Sequence, residues 1–468
     1  MNNYIGKKGY TIKKNDLTQN QLYNLRNGLT VKPNNNLSGY VSNISYPIYR
    51  ESTNKIYIPI YYGIDNYGDT NNRKLSHGNN INLNFNGNLY DYQINIINKY
   101  LNHVKNYGGG LLDVEPGKGK TVMGLNIISK LNVKTLIVVH KTFLLNQWKE
   151  RINQFLPNAK IGYIQGKIID TDDKDIVIGM LQTLSTKKLD NIIVEQFGFT
   201  VYDECHHLSA EIFSRVMINI CTKYTLGLSG TMTRKDGLTK VFKWFIGPVV
   251  HKEKSDLTQE VLIKSIYFND DENEDYNNVD TDYRGNPIYS KMISKLCDND
   301  SRTDMIINIL KYELKINTDQ QIMILAHNKI LINKLYEEIF KFEESVGLYI
   351  GGMKEFQLKC SENKKIIIGT YAMASEGLDI KTLTTLLMAT PKTDVCQSVG
   401  RILRSKHNTP LVIDIVDNHK IFKNQFNKRK KYYNKKKYKI EKYIDLNNYL
   451  NNNSIKEEEK KKLLLTEY

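Results

Sequence analysis

Short apolar runs alternate along most of this chain with longer stretches in which apolar residues recur at helical spacing. Uninterrupted apolar runs are typical of strands buried on both faces, and strands that alternate with helices form parallel sheets. The first series of such strands is predicted at Leu111–Leu112, Thr135–Val139, Asp175–Met180, Phe199–Tyr202 and Thr225–Leu228, with helices at Val122–Leu131 and Phe143–Phe155. This pattern predicts an α/β domain over residues 86–255.

A second series of the same kind occupies the later part of the chain. Its predicted elements are strands at Ile322–Leu325, Lys365–Gly369, Thr385–Met388 and Leu411–Val416, and a helix at Lys329–Phe342. The series predicts a second α/β domain over residues 299–420. Between the two domains, residues 256–298 include the acidic run Phe268–Asp275, which is typical of an exposed linker.

The two ends of the chain differ from this pattern. Residues 1–85 are polar, and the alternating run Lys55–Tyr62 predicts a small strand-containing module that ends in a loop over Gly63–Asn80. We favour a structural role for its tyrosines over nucleic-acid contact. Residues 421–468 predict a basic tail with a frayed helix at Glu457–Leu465. The predicted fold class is therefore α/β, with two tandem parallel-sheet lobes between these smaller parts.

The composition favours an intracellular protein with a polyanionic partner. The 468 residues carry a formal net charge of +16, although the tail contributes much of this excess. The five cysteines are scattered without a C-x-x-C pair, which argues against a disulfide framework or zinc ribbon and indicates a reducing compartment. Met1–Lys14 lacks the pattern of a secretory signal, and no apolar run reaches the roughly 18 residues of a membrane span. We expect no membrane partner.

The stretch Val114–Thr121 predicts a phosphate-binding loop between a strand and a helix. Backbone N–H groups in such a glycine turn converge on phosphate oxygens, and the helix N-terminus adds a favourable dipole. Lys120 can then reach the β- and γ-phosphates, and Thr121 can bind Mg²⁺. Val114 stands where the first glycine of the usual loop is found, and a plain turn is the alternative for this stretch alone.

Asp203 and Glu204 follow a predicted buried strand. An Asp at a strand end can hold Mg²⁺, and the adjacent Glu can orient an attacking water. Zinc binding by Cys205, His206 and His207 is the alternative, which we disfavour because consecutive residues of an extended chain point to opposite sides.

Taken together, these motifs resemble those of superfamily 2 helicases and translocases over most of residues 89–405. The order and spacing of the matched segments are far more specific than any one of them. The segments are the adenine-reading Leu89–Gln93, motif I at Glu115–Thr121, motif Ia from Val139 through Trp148, motif Ib at Gln182–Leu184, motif II at Asp203–His206, motif III and its extension at Ser229–Gly237, motif IV at Ile322–His327, motif V from Gly369 to Asp379, and motif VI at Gln397–Arg404. Met232 stands where Pro is frequent and Ser398 where Arg is frequent.

The resemblance implies two RecA-like lobes, ATP and Mg²⁺ as cofactors, and a role for each matched residue. It implies that hydrolysis involves Lys120, Asp203, Glu204, Gln397, Arg401 and Arg404. It implies that nucleotide is bound by Gln93, Pro116, Gly117, Lys118, Gly119, Lys120, Thr121, Gly377 and Asp379, and Mg²⁺ by Thr121 and Asp203. It implies that nucleic-acid backbone is contacted by His140, Lys141, Gln182, Thr183, Arg234, His327 and Thr370. His140 and Thr183 are equally compatible with packing or capping roles. Arg401 and Arg404, three residues apart, are expected on one face of a helix of the second lobe.

Within the superfamily, motifs II and VI are similar to those of a group that includes the excision-repair helicase of transcription factor IIH, phage recombination helicases and poxvirus-type transcript-release helicases. The N-terminal module resembles that of helicases from large DNA viruses. The expected function is an ATP-dependent DNA helicase or translocase in viral transcription, recombination or repair, with transcription or repair proteins as partners. The alternatives are an RNA or RNA–DNA hybrid helicase, and a non-unwinding, ATP-gated transcription accessory protein. The expected location is the host cytoplasm or a viral factory, with packaging in the virion left open.

Overall fold

The computed structural model describes residues 3–32, 45–115, 117–204, 210–230, 238–252, 260–376, 378, 380–403, 405, 407, 408 and 410–452. The chain divides into two compact units, Met1–Lys254 and Ser255–Tyr468. Among the described residues, none of the helices combines the length and the apolar character needed to span a membrane.

The first unit begins with a small, mostly antiparallel part. Its elements are β1 (Tyr4–Gly6), β2 (Gly9–Lys13), a short 3₁₀ helix (Lys14–Asp16), α1 (Gln19–Gly28), β3 (Thr30–Val31), β4 (Tyr46–Pro47), β5 (Arg50–Glu51), β6 (Lys55–Ile58) and α2 (Ile60–Tyr67). The antiparallel sheet has the order β1-β2-β6-β5, and β3 pairs with β4. The predicted strand-containing module is therefore present. Only Lys55–Ile58 of the predicted alternating run Lys55–Tyr62 is a strand, and the first part of the predicted loop Gly63–Asn80 belongs to helix α2. Pro59 ends the strand and occupies the N-cap of α2, because proline has no N–H for a strand ladder.

The rest of the first unit is an eight-stranded sheet covered by helices. The strands are β7 (Gly109–Asp113), β8 (Thr135–Val139), β9 (Ile161–Gln165), β10 (Ile168–Ile169), β11 (Ile176–Met180), β12 (Phe199–Asp203), β13 (Tyr224–Ser229) and β14 (Val249–Lys252), and the helices are α3 (Asp91–Tyr107), α4 (Lys120–Leu131), α5 (Thr142–Phe155), α6 (Leu181–Thr186), α7 (Asn191–Glu195), α8 (Ala210–Asn219) and α9 (Thr239–Ile246). The order is β10-β9-β11-β8-β12-β13-β7-β14, parallel except for the β9–β10 hairpin. The predicted parallel α/β sheet is confirmed.

Alternate residues of these strands fill two hydrophobic cores, one on each face of the sheet. Leu112 and Ile137 pack with Trp148 of α5 on one face, whereas Leu111 and Leu136 face the opposite side, as the two-residue period of a strand requires. The second core also contains residues of the N-terminal strands and of α1. Residues 1–85 therefore share a core with the sheet, and the expectation of a separate accessory module is wrong in this respect.

The second unit is a seven-stranded sheet, entirely parallel, with helices around it. The strands are β15 (Leu262–Phe268), β16 (Gln321–Ala326), β17 (Val346–Tyr349), β18 (Ile366–Thr370), β19 (Leu383–Met388), β20 (Leu411–Asp417) and β21 (Lys439–Tyr443), and the helices are α10 (Glu274–Asn277), α11 (Tyr289–Asp298), α12 (Asp300–Ile316), α13 (Lys329–Phe340), α14 (Glu355–Glu362), α15 (Tyr371–Glu376), α16 (Cys396–Val399), α17 (Lys420–Lys435) and α18 (Leu446–Leu450). The strand order is β17-β18-β16-β19-β20-β15-β21.

Two predicted boundaries of this unit are wrong. The predicted linker 256–298 contains β15, which lies inside the sheet between β20 and β21. This strand was not predicted because Lys264 interrupts its apolar residues. In the structure the Lys264 ammonium forms an ion pair with Glu313 at 2.7 Å, which allows a lysine within the sheet. The predicted tail 421–468 contains α17, β21 and α18, which are folded parts of the unit. The predicted frayed helix Glu457–Leu465 lies outside the described residues.

Candidate active site

The predicted phosphate loop joins β7 to α4. Gly117 and Gly119 have φ angles of 85° and 77°, the left-handed region that favours glycine. A Cβ at Gly119 would lie 2.4 Å from Nε2 of Gln93, so a larger residue cannot be accommodated without moving the glutamine. Val114 is buried in the core and donates its N–H to the Ser229 carbonyl at 3.0 Å. The unusual valine therefore extends the hydrophobic packing of β7 to the start of the loop.

Gln93 braces the phosphate loop from α3. Its Nε2 donates to the Lys118 carbonyl at 3.1 Å, and its Oε1 accepts from the N–H of Tyr90 at 3.1 Å. Tyr92 also donates its hydroxyl to the Lys118 carbonyl, at 3.1 Å. The exposed ring of Tyr90 stacks on that of Tyr92 with 5.7 Å between centroids. Residues of the segment Leu89–Gln93 are thus in direct contact with the loop, while the base contact expected of Gln93 stays a prediction.

Lys120 and Glu204 meet at the carboxyl edge of the sheet. The register of β12 on β13 and of β13 on β7 brings the ends of β12 and β7 to the same edge. The Lys120 ammonium lies 2.7 Å from Oε1 of Glu204 in a largely buried ion pair. Glu204 has a φ of 46°, and a non-glycine residue in this region carries strain of about 1–3 kcal/mol that is characteristic of functional sites.

Asp203 is buried beside this pair. Its Oδ2 accepts a hydrogen bond of 2.8 Å from Nε1 of Trp148 on α5. Burial, and then the neighbouring Glu204 carboxylate, raise the pKa of Asp203 to about 6, while Lys120 and Trp148 act in the opposite direction. Two adjacent carboxylates with little solvent form a site that a divalent cation would stabilise. The residues around Asp203 therefore fit a bound Mg²⁺.

The predicted residues of motifs Ia and Ib come together just beyond the ends of two neighbouring strands, β8 and β11. Met180 of β11 pairs with Val139 of β8, and Gln182 donates its Nε2 to the His140 carbonyl at 2.8 Å. The Thr183 hydroxyl accepts from the N–H of Gly166 at 2.9 Å. Lys141 occupies the N-cap position of α5. These contacts place Gln182 and Thr183 as structural supports of the edge, and nucleic-acid contact by any of the four predicted residues stays a prediction.

In the second unit, His327 follows β16, and Thr370 is the last residue of the adjacent strand β18. Nδ1 of His327 is 2.8 Å from the Thr390 hydroxyl, and its ring lies 4.8 Å from that of Tyr371. This partial burial, together with the Lys392 ammonium, lowers the pKa of His327 to about 4, so the imidazole is neutral near pH 7. Any contact of His327 with phosphate would therefore be a hydrogen bond rather than an ion pair.

The motif VI residues differ from the expected arrangement. Gln397 lies on α16, which ends at Val399, and Arg401 follows the helix in a turn. The expectation that Arg401 lies on a helix is therefore wrong, because α16 ends before it with Gly400 as the C-cap. Whether Arg401 and Arg404 share a face stays a prediction, since Arg404 lies outside the described residues. Arg401 is buried and donates its Nη1 to the Leu378 carbonyl of motif V at 2.7 Å. This hydrogen bond connects motif V to motif VI.

Several predicted site residues lie outside the described part of the chain. They are Pro116, Arg234, Gly377, Asp379 and Arg404, together with the Cys205–His207 segment considered for zinc.

Two features near the matched motifs, one in each unit, were not predicted from the sequence. One is the hydrogen bond from Trp148 to Asp203. The sequence offers only one indication of it, a tryptophan, with its N–H donor, on the apolar face of the predicted helix. The other is the segment Ala389–Lys392, which leads from β19 towards α16. Its four consecutive carbonyls accept hydrogen bonds from side chains of four different helices, namely Arg302, Tyr371, Tyr289 and Arg429.

Comparisons with known proteins agree with this architecture. The family described as "Type III restriction enzyme, res subunit" matches residues 86–234. A protein of Acanthamoeba polyphaga mimivirus named "Putative ATP-dependent RNA helicase L396" is 38% identical over 454 residues, covering 94% of this chain and 86% of that protein. "Putative helicase 161L" of Invertebrate iridescent virus 6 is 26% identical over 388 residues, covering 76% of this chain and 83% of its own length.

A solved structure shares the fold. It is described as "ATP-dependent Type ISP restriction-modification enzyme LlaBIII bound to DNA", is 18% identical, covers 73% of this chain and 29% of that chain, and superimposes with a TM-score of 0.50. The predicted RecA-like lobes are confirmed. Together, the motif series, the two parallel sheets and the viral relatives show that this chain belongs to the superfamily 2 helicases of large DNA viruses and is a nucleic-acid-dependent ATPase.

Proposed function

We propose that this chain is a DNA helicase or translocase that acts in viral transcription, recombination or repair, with hydrolysis at the site formed by the phosphate loop, Asp203 and Glu204. The observation that supports this site is the 2.7 Å ion pair between Lys120 and Glu204, beside the buried Asp203. It joins motifs I and II at the point where a triphosphate would lie against the N-terminus of α4.

In this proposal the loop residues Gly117, Lys118 and Gly119 bind the triphosphate through backbone N–H groups, and Lys120 binds the β- and γ-phosphates. Thr121 and Asp203 would hold Mg²⁺, which supplies positive charge to the phosphate oxygens when bound. Lys120 neutralises Glu204 while the two are paired. Once Lys120 donates to phosphate, the Glu204 carboxylate can accept a proton from the attacking water.

The remaining proposed roles rest on the motif match. Gln397 and Arg401 would contribute to hydrolysis, and His140, Lys141, His327 and Thr370 would contact the phosphodiester backbone. Such contacts are independent of sequence and weaken with salt. The scattered cysteines support a reducing compartment, which we propose to be the host cytoplasm or a viral factory.

The preference for DNA is supported by the forms of motifs II and VI. An RNA or RNA–DNA hybrid substrate is the second candidate, because the mimivirus relative is named as an RNA helicase. ATP hydrolysis rates with single-stranded DNA, duplex DNA, RNA and hybrid, measured beside strand displacement on the same ligands, separate these candidates. Stimulation and displacement by RNA alone would contradict the DNA proposal, and stimulation without displacement would favour a translocase.

Substitution of Lys120 or Glu204 tests the proposed site directly. We expect Lys120→Ala and Glu204→Gln to lower nucleic-acid-stimulated ATP hydrolysis by about 100-fold or more, because a positioned general base alone contributes about 10²–10⁴-fold. Nucleic-acid binding should stay measurable in both variants. Lys130→Ala on α4 and Glu150→Gln on α5 are matched controls, since both residues are exposed. Wild-type hydrolysis in either site variant would contradict the assignment.

A further inference from the structure

Helix α17 has two faces of opposite character. Phe422, Phe426, Arg429 and Tyr433 are buried against the second unit. All exposed positions of the helix are lysine or asparagine, and they are Lys420, Lys423, Asn424, Asn427, Lys428, Lys431, Asn434 and Lys435. The helix contains no Asp or Glu. We refer to these exposed residues as the lysine face.

The charges of the lysine face are not compensated within the described part of the chain. None of its five lysines has a carboxylate partner there, whereas several exposed lysines elsewhere in the same unit do, such as Lys341 with Glu338 and Lys359 with Glu355. The pairs Lys420/Lys423, Lys428/Lys431 and Lys431/Lys435 have helical i,i+3 or i,i+4 spacing. Each such like-charge pair destabilises a helix by about 0.2–0.5 kcal/mol.

The helix dipole makes this arrangement less favourable still. Lys420 and Lys423 lie at the start of the helix, where the positive end of the dipole disfavours cations, and only Lys435 of the five lies in the last turn, where the dipole favours one. The helix is nevertheless held firmly, because Arg429 forms two hydrogen bonds of 2.8 and 2.7 Å to the buried Asp414 and Tyr433 adds a third of 3.0 Å. The fold therefore fixes a concentrated positive charge at a cost to its own stability, which indicates an anionic partner.

We propose that the lysine face binds the phosphate backbone of nucleic acid, as a surface separate from the helicase motifs. Lys420 and Lys435 are about 22 Å apart along the helix at 1.5 Å per residue. This length matches roughly six nucleotides of one strand at 3.4 Å each. Flexible lysine ammonium groups and asparagine amides can donate to phosphates without reading sequence. The proposal rests on the proposed nucleic-acid-dependent function and gives it a binding surface.

The salt dependence of binding tests this surface. Lys423, Lys428, Lys431 and Lys435 are changed together to Gln in the full chain, and binding to a duplex and to a single strand is measured without nucleotide over a range of salt. We expect the slope of log K against log[salt] to decrease in magnitude by about 0.9 for each duplex phosphate that the variant no longer neutralises, or by about 0.7 for each phosphate of a single strand. ATP hydrolysis without nucleic acid should not change.

Two matched variants control for charge and for folding. Replacing Lys311, Lys315, Lys341 and Lys359, exposed residues of the same unit, by Gln removes the same charge and should leave the slope nearly unchanged. Replacing the four α17 lysines by Arg keeps the charge and should keep the slope.

Two outcomes would overturn the proposal. They are an unaltered slope in the α17 Gln variant, whether or not binding is weaker, and an equal decrease of the slope in the control Gln set. An unaltered slope would leave an acidic protein as the partner class to examine. Because binding is measured without nucleotide, neither of these outcomes bears on the hydrolytic roles of Lys120 and Glu204.

Discussion

Among the described residues, Oδ2 of Asp203 at the end of β12 has one uncharged hydrogen-bond donor, which lies on helix α5. Trp148 supplies that donor at 2.8 Å, and both residues are buried. Lys120 and Glu204 contribute charge to the same site but of opposite sign. The indole N–H is therefore a fixed positive dipole that favours the ionised form of the carboxylate and orients it.

Trp148→Phe separates this hydrogen bond from the packing of the ring. The phenyl ring should stay in the core formed with α4, whereas Oδ2 of Asp203 loses its donor, at a cost of about 1–3 kcal/mol for a buried acceptor. We expect a lower kcat and a higher Mg²⁺ concentration for half-maximal ATP hydrolysis. Trp244→Phe is the matched control, because that ring packs at 5.0 Å against Tyr62. Identical Mg²⁺ titrations for both variants would contradict a positioning role of Trp148.

The site residues that the sequence predicted best belong to short contiguous motifs. Lys120 and Glu204 could be placed near each other because each follows a strand, and the ends of parallel strands meet at one edge. The burial of Arg401 against the Leu378 carbonyl could not be foreseen, since it depends on where α16 stops. The same holds for Trp148, whose partner is 55 residues away in the sequence.

At the scale of elements, α17 and α12 hold the segment that leads to motif VI. Arg302 and Arg429 each form a buried ion pair, with Asp417 and Asp414 at the end and in the middle of β20. Each arginine also donates a 2.7 Å hydrogen bond to a carbonyl of the segment Ala389–Lys392. A guanidinium group can make both contacts at once because its donors point in several directions.

Arg429→Ala should destabilise the second unit strongly. Removing one partner of a buried ion pair leaves the other charge uncompensated, at a cost of about 3–5 kcal/mol. Lys428→Ala, on the exposed face of the same helix, should change the free energy of unfolding by less than about 0.5 kcal/mol. Urea unfolding measures both. Equal stability of the two variants would mean that α17 is dispensable for the fold, as expected of a solvated tail.

The folded state of α17 also determines what truncation after Lys420 would do. Loss of a solvated basic tail would lower nucleic-acid affinity only, whereas this truncation also removes α17 and β21 from the fold. The strands predicted successfully, such as β8 and β16, are continuous apolar runs. The sequence did not predict β15 and α17 because charged side chains interrupt their apolar positions. In the structure Lys264 of β15 pairs with Glu313, and Arg429 of α17 pairs with Asp414.

At the scale of the whole molecule, the N-terminal strands are part of the core of the first unit. Tyr62 of α2 packs edge-on against Trp244 of α9 at 5.0 Å. Gly63 lies so close to Tyr10 that a Cβ there would be 2.2 Å from its ring. Helix α2 therefore packs on β2 through Gly63 and on α9 through Tyr62.

A chain that begins at residue 86 should therefore lose more than an accessory function. Deletion of residues 1–85 would expose Trp244, which packs against Tyr62, and Phe245, which lines a cavity together with Ile58 and Pro59, and exposed apolar surface promotes association. We expect a lower melting temperature and aggregation on size-exclusion chromatography. The full chain with Tyr23→Ala, which changes only an exposed ring, should behave as wild type. A monomeric 86–468 protein with wild-type ATP hydrolysis would support the separate module predicted from the sequence.

The exposed positions of α17 have a consequence for natural variation. Lysine codons and asparagine codons share their first two bases and differ only at the third. A single base change can therefore add or remove one positive charge at any exposed position of this helix, while the side chain stays polar and the buried contacts of Arg429 are untouched. Selection could thus adjust the strength of nucleic-acid binding in small steps, without passing through a variant that fails to fold.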